Sequence, residues 1–345
     1  MSTSVADRKY WHRRPVFVTG ATGLVGSWLV PALVRSGASV VALVRDSSPR
    51  SHFHRAGSPE EVCVVRGSLG DAELLRRTMS ANHIDTVFHL GAQTVVSVAK
   101  TDPVGTLEAN VRGTWNVLEA ARHSGVKQTL IASTVLAASA VGPHADLQST
   151  EGLALVRYPY ELSKICAERI AQSYAGAYNM TVGMVRFGNL YGGGDLNFSR
   201  LIPGAIRATL QGRRFHFRTR GESMRDFLYV EDAVSAYLRL AERTAEDGGL
   251  AQRQFHFGLG RRFSLINTIR LILRLSGRDD LSPIAGDSPG VEVSEAALDI
   301  AEARTRLGWE PKFTLEDGLV RTIQWYMDYL EEKSGTMTPQ SAIIA

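Results

Sequence analysis

Cysteine is nearly absent from this chain, with only Cys63 and Cys166 among 345 residues. One pair cannot build a disulfide framework, and their separation is not that of a metal site, so both are expected in the core of a protein kept reduced. Long apolar runs are also missing. No stretch approaches the ~20 residues of a membrane-spanning helix, and positions 1–14 are polar and basic, so no membrane contact and a cytoplasmic location are expected. Nor does charge of either sign accumulate. The 39 basic and 35 acidic residues are scattered and leave a net charge of +4, which speaks against a nucleic-acid partner and suits local arginines to an anionic small molecule.

What remains is the composition of a globular protein, 44% hydrophobic and 21% charged, long enough for a nucleotide-binding domain with an elaborated second half. Short β-branched runs alternate with longer helical patterns, the signature of an α/β, Rossmann-type, doubly wound parallel sheet. Strands are expected at 16–19, 39–44, 61–65, 86–90, 128–132 and 181–186, and helices at 24–35, 71–80, 102–123 and 160–178. Pro31 predicts a kink in the first of these helices. Beyond 186 the rhythm is broken by Gly192-Gly193-Gly194 and Gly212, with one strand at 255–257 and helices at 265–275 and 315–330. The expected division is a dinucleotide-binding domain at 14–186, rejoined by about 227–258, and a smaller C-terminal α/β substrate domain at 187–333. Residues 1–13 and 334–345 are expected to be flexible.

Two motifs carry chemistry. Gly20-Ala21-Thr22-Gly23-Leu24-Val25-Gly26 lies between the first strand and its helix, where glycines admit a pyrophosphate to a helix N-terminus. An ordinary strand-to-helix turn is the alternative reading. Strand two ends Val44-Arg45-Asp46; a carboxylate there would hold the ribose hydroxyls of NAD, and an arginine the 2′-phosphate of NADP. NAD is the expected cofactor, and Arg45 leaves NADP open. In Tyr160-Glu161-Leu162-Ser163-Lys164, helical i,i+4 spacing puts phenol and ammonium on one face. The cation would favour the phenolate, giving a base that takes a hydroxyl proton while hydride leaves the same carbon.

The chain resembles the extended short-chain dehydrogenase/reductases that act on nucleotide sugars, the NDP-sugar epimerases and 4,6-dehydratases. The resemblance rests on Thr-Gly-Ala-Thr-Gly-Leu-Val-Gly at 19–26, Phe88-His89-Leu90-Gly91-Ala92-Gln93, Asn110-Val111-Arg112-Gly113-Thr114, and Tyr160 to Lys164. It continues in Arg186-Phe187-Gly188-Asn189-Leu190-Tyr191-Gly192, in Arg225-Asp226-Phe227-Leu228-Tyr229-Val230-Glu231-Asp232, and in Leu307-Gly308-Trp309. Gly-Gly-Gly-Asp at 192–195 and Leu201-Ile202-Pro203 look most like the CDP-glucose and GDP-mannose 4,6-dehydratases. The resemblance implies a catalytic set of Thr134, Tyr160 and Lys164, with Ser133 the near alternative to Thr134. It implies cofactor contacts from Gly20, Thr22, Gly23, Leu24, Val25, Gly26, Arg45, Ser68, Leu69, Leu90 and Ala92. Gln93, Asn189 and Arg225 are implied to meet a nucleotide-diphosphate sugar, and Arg200 and Arg218 could add phosphate contacts. It further implies a homodimer that pairs the helices at 102–123 and 160–178 into a four-helix bundle.

Departures from the pattern are informative. In the dehydratases an acidic residue and then Glu or Lys follow the Ser/Thr; here Val135 and Leu136 stand there, and neither moves a proton. Ala138 and Ser139 replace a usual Tyr-Gly, and Ser68 replaces an Asp that would meet the adenine. The hydride-transfer pair survives, and C4 epimerisation needs no more than that pair. The expectation is a nucleotide-sugar C4 epimerase. A 4,6-dehydratase with acid and base from elsewhere, such as Glu161, a decarboxylase or oxidoreductase, and a catalytically silent cofactor-binding protein stay open.

Overall fold

A computed structural model describes residues 7–46, 51–55, 58–139, 158–217, 219–250, 253–286 and 297–334. Its centre is a seven-stranded sheet of β1 (Pro15–Thr19), β2 (Ser39–Val44), β3 (Cys63–Arg66), β4 (Thr86–His89), β5 (Gln128–Thr134), β6 (Val182–Phe187) and β10 (Gln254–Phe257). The order is β10-β6-β5-β4-β1-β2-β3 and every pairing is parallel. Parallel strands need crossovers, supplied here by helices Leu24–Arg35, Ala72–Ala81, Gly113–His123 and Pro159–Tyr178. Such a sheet is covered on both faces, which is why Val16, Phe17, Val18, Val87, Phe88 and Leu130 are all buried in succession instead of alternating. The strand order reverses beside β1, so loops after β1 and β4 splay apart and leave a crevice at the carboxyl ends.

A second apolar cluster gathers Tyr191, Ile202, Phe227, Tyr229, Ile269, Leu319 and Tyr326. It packs the short parallel pair β7 (Asn189–Tyr191) and β9 (Phe227–Tyr229) against helices Leu201–Leu210, Leu265–Leu275 and Leu315–Ser334. A two-stranded antiparallel pair, β8 (Met224–Arg225) with β11 (Phe263–Ser264), lies beside it.

The strands and most helices fall where the sequence predicts them, and the exceptions have physical causes. The 102–123 stretch is not one helix. It divides into Pro103–Leu107, a π-helical turn at Glu108–Arg112 and Gly113–His123. Pro103 begins a new helix because Asp102, with φ −130°, bonds the Gly105 N–H at 2.8 Å as its cap. Strand β5 runs two residues past its expected end because Ser133 and Thr134 still pair with Arg186 and Phe187. The helix Leu24–Arg35 contains Pro31 without a break. Cys63, expected in the core, is exposed because β3 is an edge strand with β2 as its one neighbour, and Cys166 is half-buried.

The start of the chain also departs from expectation. Residues Arg8–Trp11 form a helix, and Trp11 is fully buried with its indole Nε1 donating to Glu242 Oε1 at 2.8 Å. The Asp7 backbone N–H donates to the same carboxylate at 2.9 Å. A tryptophan offers a large apolar surface and one polar handle, and here both are satisfied. Positions 335–345 lie outside the described residues. The last helix reaches back to the first crossover: His52 stacks on Trp28 with ring centroids 4.2 Å apart and accepts from Trp325 Nε1 at 3.1 Å. None of the described helices is long and apolar enough to cross a membrane.

His89 ends β4 inside the core. Its Nδ1 lies 2.8 Å from Thr19 Oγ1 and its Nε2 3.1 Å from Thr114 Oγ1. Burial first, and the Lys164 charge second, push its pKa down to about 3. The unfolded chain therefore binds a proton below pH ~6.5 that the folded chain refuses, and stability falls as the pH drops from there towards 3. Denaturant unfolding at pH 7 and pH 5 should show that loss, and His89→Gln should flatten the slope by up to about 1.4 kcal/mol per pH unit.

Candidate active site

The glycine loop is built by close approach. Gly20 has φ +70°, and a Cβ on it would stand 2.7 Å from the Gly91 backbone nitrogen. A Cβ on Gly26 would meet the Gly20 carbonyl oxygen at 2.2 Å. Only glycine lets the turn, the β4 loop and the following helix pack this tightly. Gly23, the N-cap, has no side chain to bond the first helical N–H groups, so these face the crevice.

The crevice has a volume of about 880 Å³. Gly20 and residues 22–26 form its floor, with Arg45, Ser68, Leu69, Leu90 and Ala92 along one wall. Thr134, Tyr160, Lys164, Asn189 and Arg200 complete it, so most of the residues predicted from sequence meet in one place. Gln93 and Arg225 are not among the lining residues. Gln93 folds onto its own loop, its amide Nε2 donating to the Val95 carbonyl at 2.9 Å. Arg225 sits on β8, and its Nη1 donates to the Met224 carbonyl at 3.0 Å. Arg218 lies outside the described residues.

Thr134 ends β5, its hydroxyl accepts from the Leu136 N–H at 3.3 Å, and it lines the crevice together with Tyr160. Lys164, one turn beyond Tyr160, donates from Nζ to the Ala132 carbonyl at 3.0 Å. Burial draws its pKa down to about 8, against a smaller opposing effect of Glu168. The expected effect on the phenol runs the other way in the structure. Burial raises Tyr160 above its ordinary value, and the Thr134 hydrogen bond and the Arg200 charge oppose that rise. Ser133 Oγ is buried in the crevice wall with no hydrogen-bond partner among the described residues.

Asn110 and Ser163 stand within the sequence motifs, but the pattern alone assigns them no role. Buried Asn110 donates from Nδ2 to the Gln93 carbonyl and to Ser163 Oγ, both at 2.9 Å, and its Oδ1 accepts the Gln93 N–H at 2.7 Å. Ser163 Oγ donates in turn to the Tyr160 carbonyl at 2.7 Å. This chain of bonds fixes the Tyr160 helix to the β4 loop. Two polar residues on otherwise inward-facing helical positions were the available signal. Thr94 and Asp195, which hold Arg200, were also missed, and loop residues with no periodicity carry no such signal.

The glycine cradle, the open helix N-terminus and the buried Tyr160–Lys164 pair suit a dinucleotide beside a hydroxyl to be oxidised. Residues 16–252 match the NAD dependent epimerase/dehydratase family. The chain belongs to that family. Its members are enzymes, and this family member is similar to the CDP-glucose 4,6-dehydratase of Salmonella typhimurium, 28% identical over 94% of this chain and 93% of the relative. It is 29% identical to the UDP-glucose 4-epimerase of Mycolicibacterium smegmatis over 90% of this chain and 97% of the relative. Among solved structures, the UDP-glucose 4-epimerase of Thermotoga maritima, determined with UDP-glucose, superposes with a TM-score of 0.80. Its identity is 28%, covering 92% of this chain and all of that one, 100%. The family's two activities are thus both represented.

Asn110→Ala removes the amide that joins the β4 loop to the Tyr160 helix. Groups left unpaired in the core should cost about 1–3 kcal/mol of stability. Denaturant unfolding checks this, and dinucleotide affinity measured on the same variant should weaken as the Tyr160 helix loses its anchor.

Proposed function

We propose that the chain is a nucleotide-sugar C4 epimerase that works through a transient 4-keto sugar and keeps its nicotinamide cofactor bound. The observation that carries this reading is the pair of apolar residues after Thr134. Val135 and Leu136 open the helix Val135–Ser139, and Leu136 lines the crevice where dehydration would need an acid and a base. The residues needed for oxidation and reduction at one carbon remain.

The cradle of Gly20 and residues 22–26 would hold the cofactor pyrophosphate, with Arg45, Ser68 and Leu69 towards the adenosine and Lys164 towards the nicotinamide ribose. Arg45 is exposed and bonded to Asp46 at 2.6 Å. Bound NAD supplies a hydride acceptor that later acts as donor. In this reading Thr134 orients the C4 hydroxyl and Tyr160, as its phenolate, takes the hydroxyl proton onto the phenol oxygen. After the keto sugar turns over in the crevice, Tyr160 returns the proton to the new alcohol. Asn189 and Arg200 face the crevice where the diphosphate of the substrate would lie. No net oxidation occurs, so the cofactor need not leave.

A 4,6-dehydratase is the second reading, favoured by the similarity to the Salmonella enzyme. Its proton-transfer groups would come from the crevice carboxylates Glu108 and Asp195, since Asp46 lies beside Arg45 at the adenosine end and Glu161 does not line the crevice. Incubation with GDP-, CDP-, UDP- and dTDP-hexoses in deuterated water separates the two. An epimerase should return a hexose of unchanged mass without carbon-bound deuterium and without consuming added cofactor. A product lighter by one water and labelled with deuterium would overturn the epimerase reading.

We also propose a homodimer. Val104, Trp115, Tyr158, Leu162 and Tyr178 are large apolar side chains between 42% and 70% exposed, all on the 96–123 and 158–178 segments. Such a concentration of uncovered apolar residues on adjoining helices suits a second copy related by two-fold symmetry. Light scattering at micromolar concentration should give twice the chain mass, and Leu162→Asp should halve it.

A further inference from the structure

A wall of the crevice is tied to the helix that carries the glycine cradle. Trp28 lies one turn into the helix Leu24–Arg35, and its indole Nε1 donates to the carbonyl of buried Gly193 at 2.7 Å. Its ring stacks on His52 with 23° between the planes. Burial first, and then the Arg55 and Arg35 charges, hold the His52 pKa down to about 4, so at neutral pH its Nδ1 is free of a proton to accept from Trp325 Nε1. Trp325, on the last helix, closes the other side of the turn. A Cβ on Gly193 would stand 2.2 Å from its Cγ. Gly193 is thus held between two indoles, one bonded to its carbonyl and the other leaving no room for a side chain.

The turn so held leads directly to the polar wall. Asp195, two residues on, is buried, and its carbonyl accepts the hydroxyl of Tyr326, the neighbour of Trp325. Its Oδ2 accepts from Arg200 Nη1 at 2.9 Å, and Arg200 Nη2 donates to Thr94 Oγ1 at 3.1 Å, so the guanidinium is clamped from two sides. Thr94, Asp195 and Arg200 line the crevice, whereas Trp28, His52 and Trp325 do not. The three aromatic residues can therefore act on a ligand there only through the turn.

We infer that Trp28, His52 and Trp325 are positioning residues for the diphosphate of the substrate: they fix the Gly193 turn against the cofactor helix and, through Asp195, the place at which Arg200 meets phosphate. The inference rests on the reading of Arg200 as a diphosphate contact. A charge-assisted bond from a guanidinium fork depends on distance and angle, so a small shift of the turn weakens it. The glycine cradle belongs to the other end of the linkage and keeps its own shape.

The test is calorimetric titration of the NAD-loaded protein with UDP, CDP, GDP and dTDP, the tightest of the four serving as the probe. Arg200→Met should weaken the probe by about 10- to 100-fold, the loss of a charge-assisted bond. Trp28→Phe keeps an aromatic ring against His52 and removes one N–H; it should weaken the probe about threefold to tenfold and leave NAD retention unchanged. Trp325→Phe withdraws the donor to His52 and should act in the same direction by less. The double variant Trp28→Phe, Arg200→Met decides the matter. If Trp28 acts through Arg200, this protein binds the probe no more weakly than Arg200→Met alone. Losses that multiply in the double variant would overturn the inference. So would a Trp28→Phe protein that binds the probe normally while Arg200→Met does not, or one that loses NAD to the same degree. Normal binding by Arg200→Met, or binding of none of the four by the unaltered protein, would overturn the diphosphate reading and the inference with it. No sugar is turned over, so the result is independent of whether epimerisation or dehydration follows.

Discussion

Withdrawal of Tyr160 and Lys164 from water is the constraint around which the crevice is organised. Both are buried, and a buried polar group is costly unless it is hydrogen-bonded. For Lys164 the partner is the Ala132 carbonyl near the carboxyl end of β5, which ties the Tyr160 helix to the sheet. The sheet order then decides what stands opposite. With β4 and β1 next in line, the β4 loop and the glycine turn complete the crevice, held at contact distance by Gly20 and Gly91.

Burial has a chemical consequence that the sequence pattern does not convey. Spacing Tyr160 and Lys164 by one helical turn suggests an ion-pair effect between them, yet desolvation acts on both and in opposite senses on their protons. The Thr134 hydroxyl and then the Arg200 charge oppose the rise of the phenol.

Much of this was legible in the chain itself. Strand positions followed from β-branched runs, and the glycine turn and the Tyr160 helix followed from periodicity and spacing, because these signals are local. The break at Asp102–Pro103 was visible as a proline, but the π-helical turn after it depends on how Asn110 is pulled towards Gln93 and Ser163. The clamp on Arg200 joins residues more than a hundred positions apart in sequence, Thr94 and Arg200, and no local pattern encodes such a meeting. Trp11 was assigned to a flexible start for the same reason, since its seat is made by Glu242.

That last contact has a bearing on how the molecule is made. A ribosome releases Trp11 first and Glu242 some 231 residues later, and β10, the far edge of the sheet, later still. Until then the indole N–H lacks its carboxylate partner while the nascent chain lengthens. Completion of the sheet is therefore a late event in synthesis, and a chain arrested before residue 242 presents an apolar start that chaperones or proteases can recognise.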